Sequence, residues 1–247
     1  MRSFLISLLY SLQRLLPRRK GCLILAYHSV GNFDDPYTVS REDMEWQIQE
    51  IARQGLKVIS LEELERMIDA RKVEDGTVVL TFDDGRDDNY TDLFPILKKY
   101  SVPATIFSIT GFIGKTREST ARSNPMLTET QMREMQQSGL VDFQPHTVTH
   151  PKLTKVPLEE VRNEVSDSRE YLEKMFSKPC RYFAYPYGRQ SAEIRTVLAE
   201  CGIRIAVCGM RGFVTAQTEL LLMPRSEVKR STSRAEFTSI LKRGSLR

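Results

Sequence analysis

Histidine is scarce in this 247-residue chain: three occur, His28, His146 and His150. Tryptophan occurs once and cysteine four times. Cys22, Cys180, Cys201 and Cys208 form no C-x-x-C pair, which argues against thiolate-bound zinc. They read as small buried hydrophobes rather than disulfides. There is no low-complexity tract, internal repeat or linker. Charged residues make up 28% of the chain and apolar residues 40%, a globular balance. The net charge of +4 is mild, and aromatics do not interleave with a basic stripe. Nucleic acid is therefore not an expected partner.

Long apolar runs are also missing. The stretch from Phe4 to Leu12 is too short to span a bilayer and lacks a small-x-small cleavage site. Phe4, Leu5, Leu8, Leu9, Leu12, Leu15 and Leu16 recur at helical spacing, with Arg18, Arg19 and Lys20 behind them. Residues 1–20 are thus expected to form an amphipathic N-terminal helix that touches a lipid surface or packs on the rest of the chain. An uncleaved export signal is the third alternative. This favours a cytoplasmic or membrane-associated protein over an exported form. Residues 21–247 read as one catalytic domain.

What is present is alternation. Strand-like runs at residues 22–27, 57–59, 77–82, 104–109, 141–144, 182–184 and 205–207 are separated by helical segments. The helices are predicted at 44–54, 61–70, 90–100, 128–138, 158–175, 192–201 and 234–242. About seven strand–helix units predict an α/β fold with a parallel sheet closed, or nearly closed, into a barrel. In such barrels chemistry gathers on the loops after the strand C-termini. Polar clusters fall there: His28 after the first strand, Asp83-Asp84 after Phe82, His146 after Gln144, and Tyr185–Gly188 after Ala184.

Adjacent carboxylates at a strand end repel each other and lose solvation, a cost that a cation offsets. Asp83-Asp84-Gly85 also suits a plain turn. His146-Thr147-Val148-Thr149-His150 places two imidazoles four residues apart, close enough to share an ion if the segment is helical or tightly turned. With Asp84, they make a two-imidazole, one-carboxylate set suited to a divalent ion that keeps a position open for water.

The stretches TFDDGRDDNYTDLFPILKKYSVPATIF, MLTETQMREMQQSGLVDFQPHTVTHPKL and FAYPYG resemble the polysaccharide deacetylase family, the carbohydrate esterases with a NodB-like domain. The likeness runs from about residue 23 to 228. It implies a distorted (β/α)7-type barrel and a metal-dependent hydrolase that removes N-acetyl groups from the amino sugars of an oligo- or polysaccharide. It further implies Asp84, His146 and His150 as ligands to a divalent metal, usually zinc. Asp83 matches the catalytic base, and Tyr187 the residue whose backbone N–H faces the oxyanion.

Two departures stand out. The family's arginine before Pro-Tyr-Gly is replaced by Ala184-Tyr185, and Arg225 is the candidate substitute. The family's late Leu-x-His is missing, so His28 is left as the general acid, as in the branch acting on poly-N-acetylglucosamine. Alternatives are a deacylase or deformylase of a lipid-linked sugar, a sugar O-acetyl esterase, and a non-catalytic glycan-binding relic. Phe33, Tyr37, Tyr90, Phe112 and Tyr185 are loop aromatics that suit a sugar groove. Oligomeric state is left open.

Overall fold

The first strand, β1 (Cys22–Tyr27), is apolar throughout and fully buried. After a short pair, β2 (Ser29–Val30) and β3 (Thr38–Val39), the chain alternates. In order come α1 (Arg41–Arg53), β4 (Lys57–Val58), α2 (Leu61–Asp69), β5 (Thr77–Asp84), α3 (Phe94–Tyr100) and β6 (Ala104–Ser108). A hairpin of β7 (Thr116–Glu118) and β8 (Ser123–Pro125) follows. Then come α4 (Glu129–Gln137), β9 (Val141–Pro145), α5 (Leu158–Phe176), β10 (Tyr182–Ala184), α6 (Ala192–Glu200), β11 (Ile205–Val207), β12 (Ser226–Glu227) and α7 (Arg234–Arg243). This computed structural model describes residues 19–118 and 123–244. The amphipathic helix expected over 1–20 lies outside them apart from its last two residues. No helix among the described residues is long and apolar enough to cross a membrane.

Helix starts are fixed by hydroxyl caps. Ser40, Ser60, Thr128, Ser191 and Ser233 each accept a hydrogen bond from a backbone N–H in the first turn. Thr128 and Gln131 form a reciprocal capping box. The helix predicted from Tyr90 is α-helical only from Phe94 onward. A π turn, Asn89–Leu93, opens it.

The main sheet is parallel, in the order β12-β1-β5-β6-β9, with β4 beside the first two residues of β5. β10 and β11 pair separately. The segment after β11 closes one side. Met223 donates its N–H to the Ala206 carbonyl and accepts from Cys208, and Val228 donates to Ala26. On the other side no backbone ladder joins β9 to β10 among the described residues. Side chains bridge that seam: the Tyr182 N–H donates to Gln144 Oε1 at 3.0 Å, and His146 Nδ1 lies 2.7 Å from the Ala184 carbonyl. The result is a nearly closed parallel barrel, as the alternation predicts, with the distortion that the resemblance implies.

Period-two alternation sorts the side chains. Leu23, Leu25, Val78, Leu80, Val141 and Phe143 pack outward under the helices. Cys22, Ile24, Val79, Tyr182, Ala184, Ile205, Val207 and Met223 pack inward. Each fully buried aliphatic or aromatic side chain contributes roughly 1.5–3 kcal/mol. The four cysteines are free and buried, as their spacing suggested. Burial pushes the Cys22 thiol up to about 12.

Continuing the inward columns two residues at a time reaches the polar groups. Cys22, Ile24 and Ala26 lead to His28. Val79 and Thr81 lead to Asp83. Gln144 leads to His146, and Met223 leads to Arg225. The barrel interior is hydrocarbon at one end and ionisable at the other, the C-terminal end of the strands.

Candidate active site

A cleft of about 550 Å³ opens at that end, lined by His28, Asp83, Asp84, His146, His150, Tyr187 and Arg225 among others. All seven residues singled out from the sequence therefore face one space.

Strand alternation alone would send Asp83 and Asp84 to opposite faces. Both reach the cleft because Asp84 has a left-handed backbone, φ 77°. Gly85 follows with φ 78°, and a Cβ there would sit 2.7 Å from Ser108 Oγ, so the tight turn demands glycine.

The two carboxylates have different surroundings. Arg225 grips Asp83 in a bidentate pair, Nη1 to Oδ1 and Nη2 to Oδ2, each 2.7 Å. Arg225 Nη1 also donates to Thr81 Oγ1 at 3.1 Å. Burial favours the neutral acid at Asp83, but the Arg225 charge and hydrogen bonds outweigh it and hold the carboxyl below its ordinary range. Asp84 instead faces the histidines through Oδ1, which lies 3.9 Å from His146 Nε2 and 3.7 Å from His150 Nε2. Its Oδ2 accepts from Arg86 Nη2 at 3.1 Å. Burial again opposes ionisation, and nearby positive groups led by His28 and Arg86 overcome it, holding Asp84 well below the usual carboxylate range.

Both imidazoles are held neutral. Burial drives His146 down, and burial with help from neighbouring His146 pushes His150 down to about 3. The Ala184 carbonyl accepts only, so His146 carries its proton on Nδ1 and leaves the Nε2 lone pair towards Asp84. The segment from 146 to 150 is a tight turn and not a helix, with Thr147 at φ 69° and His150 at φ 63°.

One ionised carboxylate and two neutral imidazoles converge, with ligand atoms all within 4.8 Å of one another. Ligand atoms on one tetrahedral ion are about 3.4 Å apart, close to the spacings here. The donor set fits a divalent cation. One contact opposes it: Arg117 Nη2, which can only donate, lies 3.1 Å from His150 Nδ1 and favours the tautomer with the proton on Nε2. Arg117 must release that nitrogen for His150 to ligate through Nε2.

His28 ends the β1 column. Asn89 Nδ2 donates to its carbonyl at 2.9 Å, and its ring lies 4.9 Å from that of Tyr37. Its Nδ1 is buried without a hydrogen-bond partner. Tyr187 has φ 60° in the turn Pro186–Gly188, and its half-exposed ring lies 4.7 Å from that of His150. Gly188 lets this turn lie backbone to backbone on Gly209, where a Cβ would come within 2.6 Å.

Of the loop aromatics expected to suit a sugar, Tyr37 lines the cleft. Tyr185 does not: it is fully buried and donates its hydroxyl to the Leu221 carbonyl. Sequence reasoning missed Arg86 and Arg117. Arg86 follows Asp83-Asp84-Gly85 directly, a local signal. Arg117 is distant in sequence and gave none.

A parallel barrel with a carboxylate–imidazole cation site and a clamped second carboxylate defines a metal-dependent hydrolase. The polysaccharide deacetylase family profile matches residues 70–206. Poly-beta-1,6-N-acetyl-D-glucosamine N-deacetylase of Staphylococcus aureus is 29% identical over 197 residues, covering 76% of this chain and 67% of the relative. The structure of Streptococcus pyogenes deacetylase PplD superposes with TM-score 0.76 at 31% identity, over 87% of this chain and 95% of that one. IcaB from Ammonifex degensii superposes with TM-score 0.80 at 25% identity, over 91% and 97%. The chain belongs to the polysaccharide deacetylase family and is a carbohydrate de-N-acetylase.

Proposed function

We propose that this enzyme hydrolyses the N-acetyl groups of β-1,6-linked poly-N-acetylglucosamine or a closely related acetylated glycan, using zinc held by Asp84, His146 and His150. The name of the Staphylococcus relative supports the substrate. The nitrogen-rich, thiolate-free donor set supports zinc. The observation that carries the reading is the division of labour between adjacent carboxylates: Asp84 faces two imidazoles, while Asp83 is locked by Arg225.

When bound, the metal supplies Lewis acidity that polarises the acetyl carbonyl and acidifies a water. Asp83 accepts the proton of the attacking water as general base. Arg225 fixes both of its oxygens in the cleft and keeps it ionised. The Tyr187 backbone N–H faces the oxygen on which negative charge develops, a contact of the kind worth about 3–4 kcal/mol in the transition state. His28 donates a proton to the departing amine, because an amide, unlike an ester, needs its leaving group protonated.

The test is acetate release from acetylated β-1,6-glucosamine oligomers, with formylated lipid-linked sugars and O-acetyl esters as comparators. Asp83→Asn is expected to keep zinc and lose about 10²–10⁴-fold in turnover. Full turnover by Asp83→Asn would remove the base assignment. Zinc binding without turnover on any substrate would leave a glycan-binding relic.

A further inference from the structure

The buried stripe of α5 contains a residue that does not belong in a hydrocarbon interface. Val161, Val165, Ser168, Leu172 and Met175 recur at helical spacing and face inward, and Glu164 sits among them, 8% exposed. A carboxylate taken out of water is costly unless its oxygens are satisfied. Glu164 meets that condition in one place, the turn between the two histidines. Its Oε2 accepts from the Val148 N–H at 2.7 Å and from the Thr149 N–H at 2.9 Å. Its Oε1 accepts from Thr149 Oγ1 at 2.6 Å.

The same turn is tied from the opposite side. Thr110 and Gly111 donate their N–H groups to the carbonyls of Thr147 and Val148 at 3.1 and 2.9 Å. A Cβ on Gly111 would lie 2.5 Å from the Val148 oxygen, so the two backbones touch. Inside the turn, the His150 N–H donates to Thr147 Oγ1 at 2.9 Å. These bonds hold two non-glycine residues, Thr147 and His150, in the left-handed region, a conformation that persists only when its surroundings impose it. His146 has its own anchor at Ala184, whereas His150 depends on the turn.

We propose that Glu164 is a positioning residue for the metal site: its carboxylate fixes the 146–150 turn so that the His150 imidazole is presented to Asp84 and His146. The proposal rests on the reading of those three residues as metal ligands. It predicts that loss of Glu164 weakens the metal itself, because an imidazole free to wander must be ordered on binding.

The experiment measures the zinc dissociation constant of the full chain by competition with a chromophoric chelator, well below the unfolding temperature of every variant. Glu164→Ala is expected to bind zinc about 10–100-fold more weakly, the usual effect of losing a group that orients a ligand. The zinc-induced rise in Tm should shrink in step. A purely structural glutamate would lower the Tm of metal-free and metal-loaded protein alike and leave the constant within twofold of wild type, which would overturn the proposal. Glu164→Gln keeps an oxygen for the two N–H groups and an amide to meet the Thr149 hydroxyl, so near wild-type affinity is expected. Affinity as poor as in Glu164→Ala would assign the effect to charge and overturn the positioning role. If Glu164→Ala does not fold, Thr149→Val carries the test. It removes one of the three bonds, and unchanged zinc affinity there overturns the proposal. His150→Ala is the control: zinc retained at wild-type affinity would mean that the ligand assignment fails, whereas zinc lost there but kept by Glu164→Ala would mean that only Glu164's role does.

Discussion

The two halves of the barrel position their side chains by different means. From β1 through β5 and β6 to β9 the ladder is continuous, and register sets position: Asp83 pairs with Phe107, Asp84 with Ser108, and Pro145 lies beside Ser108. From β10 to β11 the strands are three residues long and, among the described residues, are joined to β9 through side chains. The laddered half carries Asp83, Asp84 and His146. The thinner half contributes Tyr187 and the turn that Gly188 packs on Gly209. Asp83 and Asp84 stand on a laddered strand and His146 directly follows one, whereas His150 and Tyr187 stand on turns. Tolerance to substitution should differ accordingly.

The largest effect should come from the clamp across the rigid wall. Arg225→Ala leaves Asp83 ionised and buried with no counter-charge, which should cost about 3–5 kcal/mol in urea unfolding. Arg195 and Glu219 form a 3.0 Å pair on the thin half with the glutamate more than half exposed, and such a pair is worth at most about 1 kcal/mol. Equal losses in Arg225→Ala and Arg195→Ala would erase the distinction between the halves.

A middle-sized effect should follow pH. His146 and His150 are held below their ordinary value in the folded state, so the unfolded chain binds protons first as pH falls. Their contribution is complete above about pH 6.5. It declines below that and is exhausted for His150 near its folded value of about 3. The Tm of metal-free protein should therefore fall steadily between pH 7 and pH 5, before carboxylates titrate. A flat Tm over that window would contradict the neutral imidazoles.

The smallest effect should sharpen the comparison at the hairpin. Arg117 sits 3.6 Å from Asp84 Oδ2 and occupies His150 Nδ1. Arg117→Ala removes a cation that competes with the metal, so zinc should bind a few-fold more tightly by chelator competition. Weaker binding would make Arg117 a support for the ligands instead of a competitor.

Much of this was legible in the residues. Asp84, His146 and His150 sit in two short segments, and their spacing alone suggested a shared ion; the turn alternative to a helix is the one adopted. Resemblance supplied the search for a substitute arginine, and Arg225 stands 2.7 Å from Asp83. Other features depend on chain path and escape local reading. Divergence of adjacent side chains, a sound rule in a strand, gives way at Asp84 because its φ is positive. Glu164 carries no signal in the sequence, because nothing in the spacing of α5 reveals that this face meets two backbone amides. Tyr185 looked like a loop aromatic and is core, since the inward column of β10 ends one residue earlier, at Ala184.

The Arg225–Asp83 pair joins positions 142 residues apart in sequence, from the residue just before β12 to β5, two places along in the sheet order. During synthesis, Asp83 leaves the ribosome long before its counter-ion does. Until Arg225 arrives, sealing Asp83 inside the barrel would strand a lone negative charge. The pair thereby ties the favourable burial of that carboxylate to the docking of β12, a contact that needs both ends of the sheet segment in place.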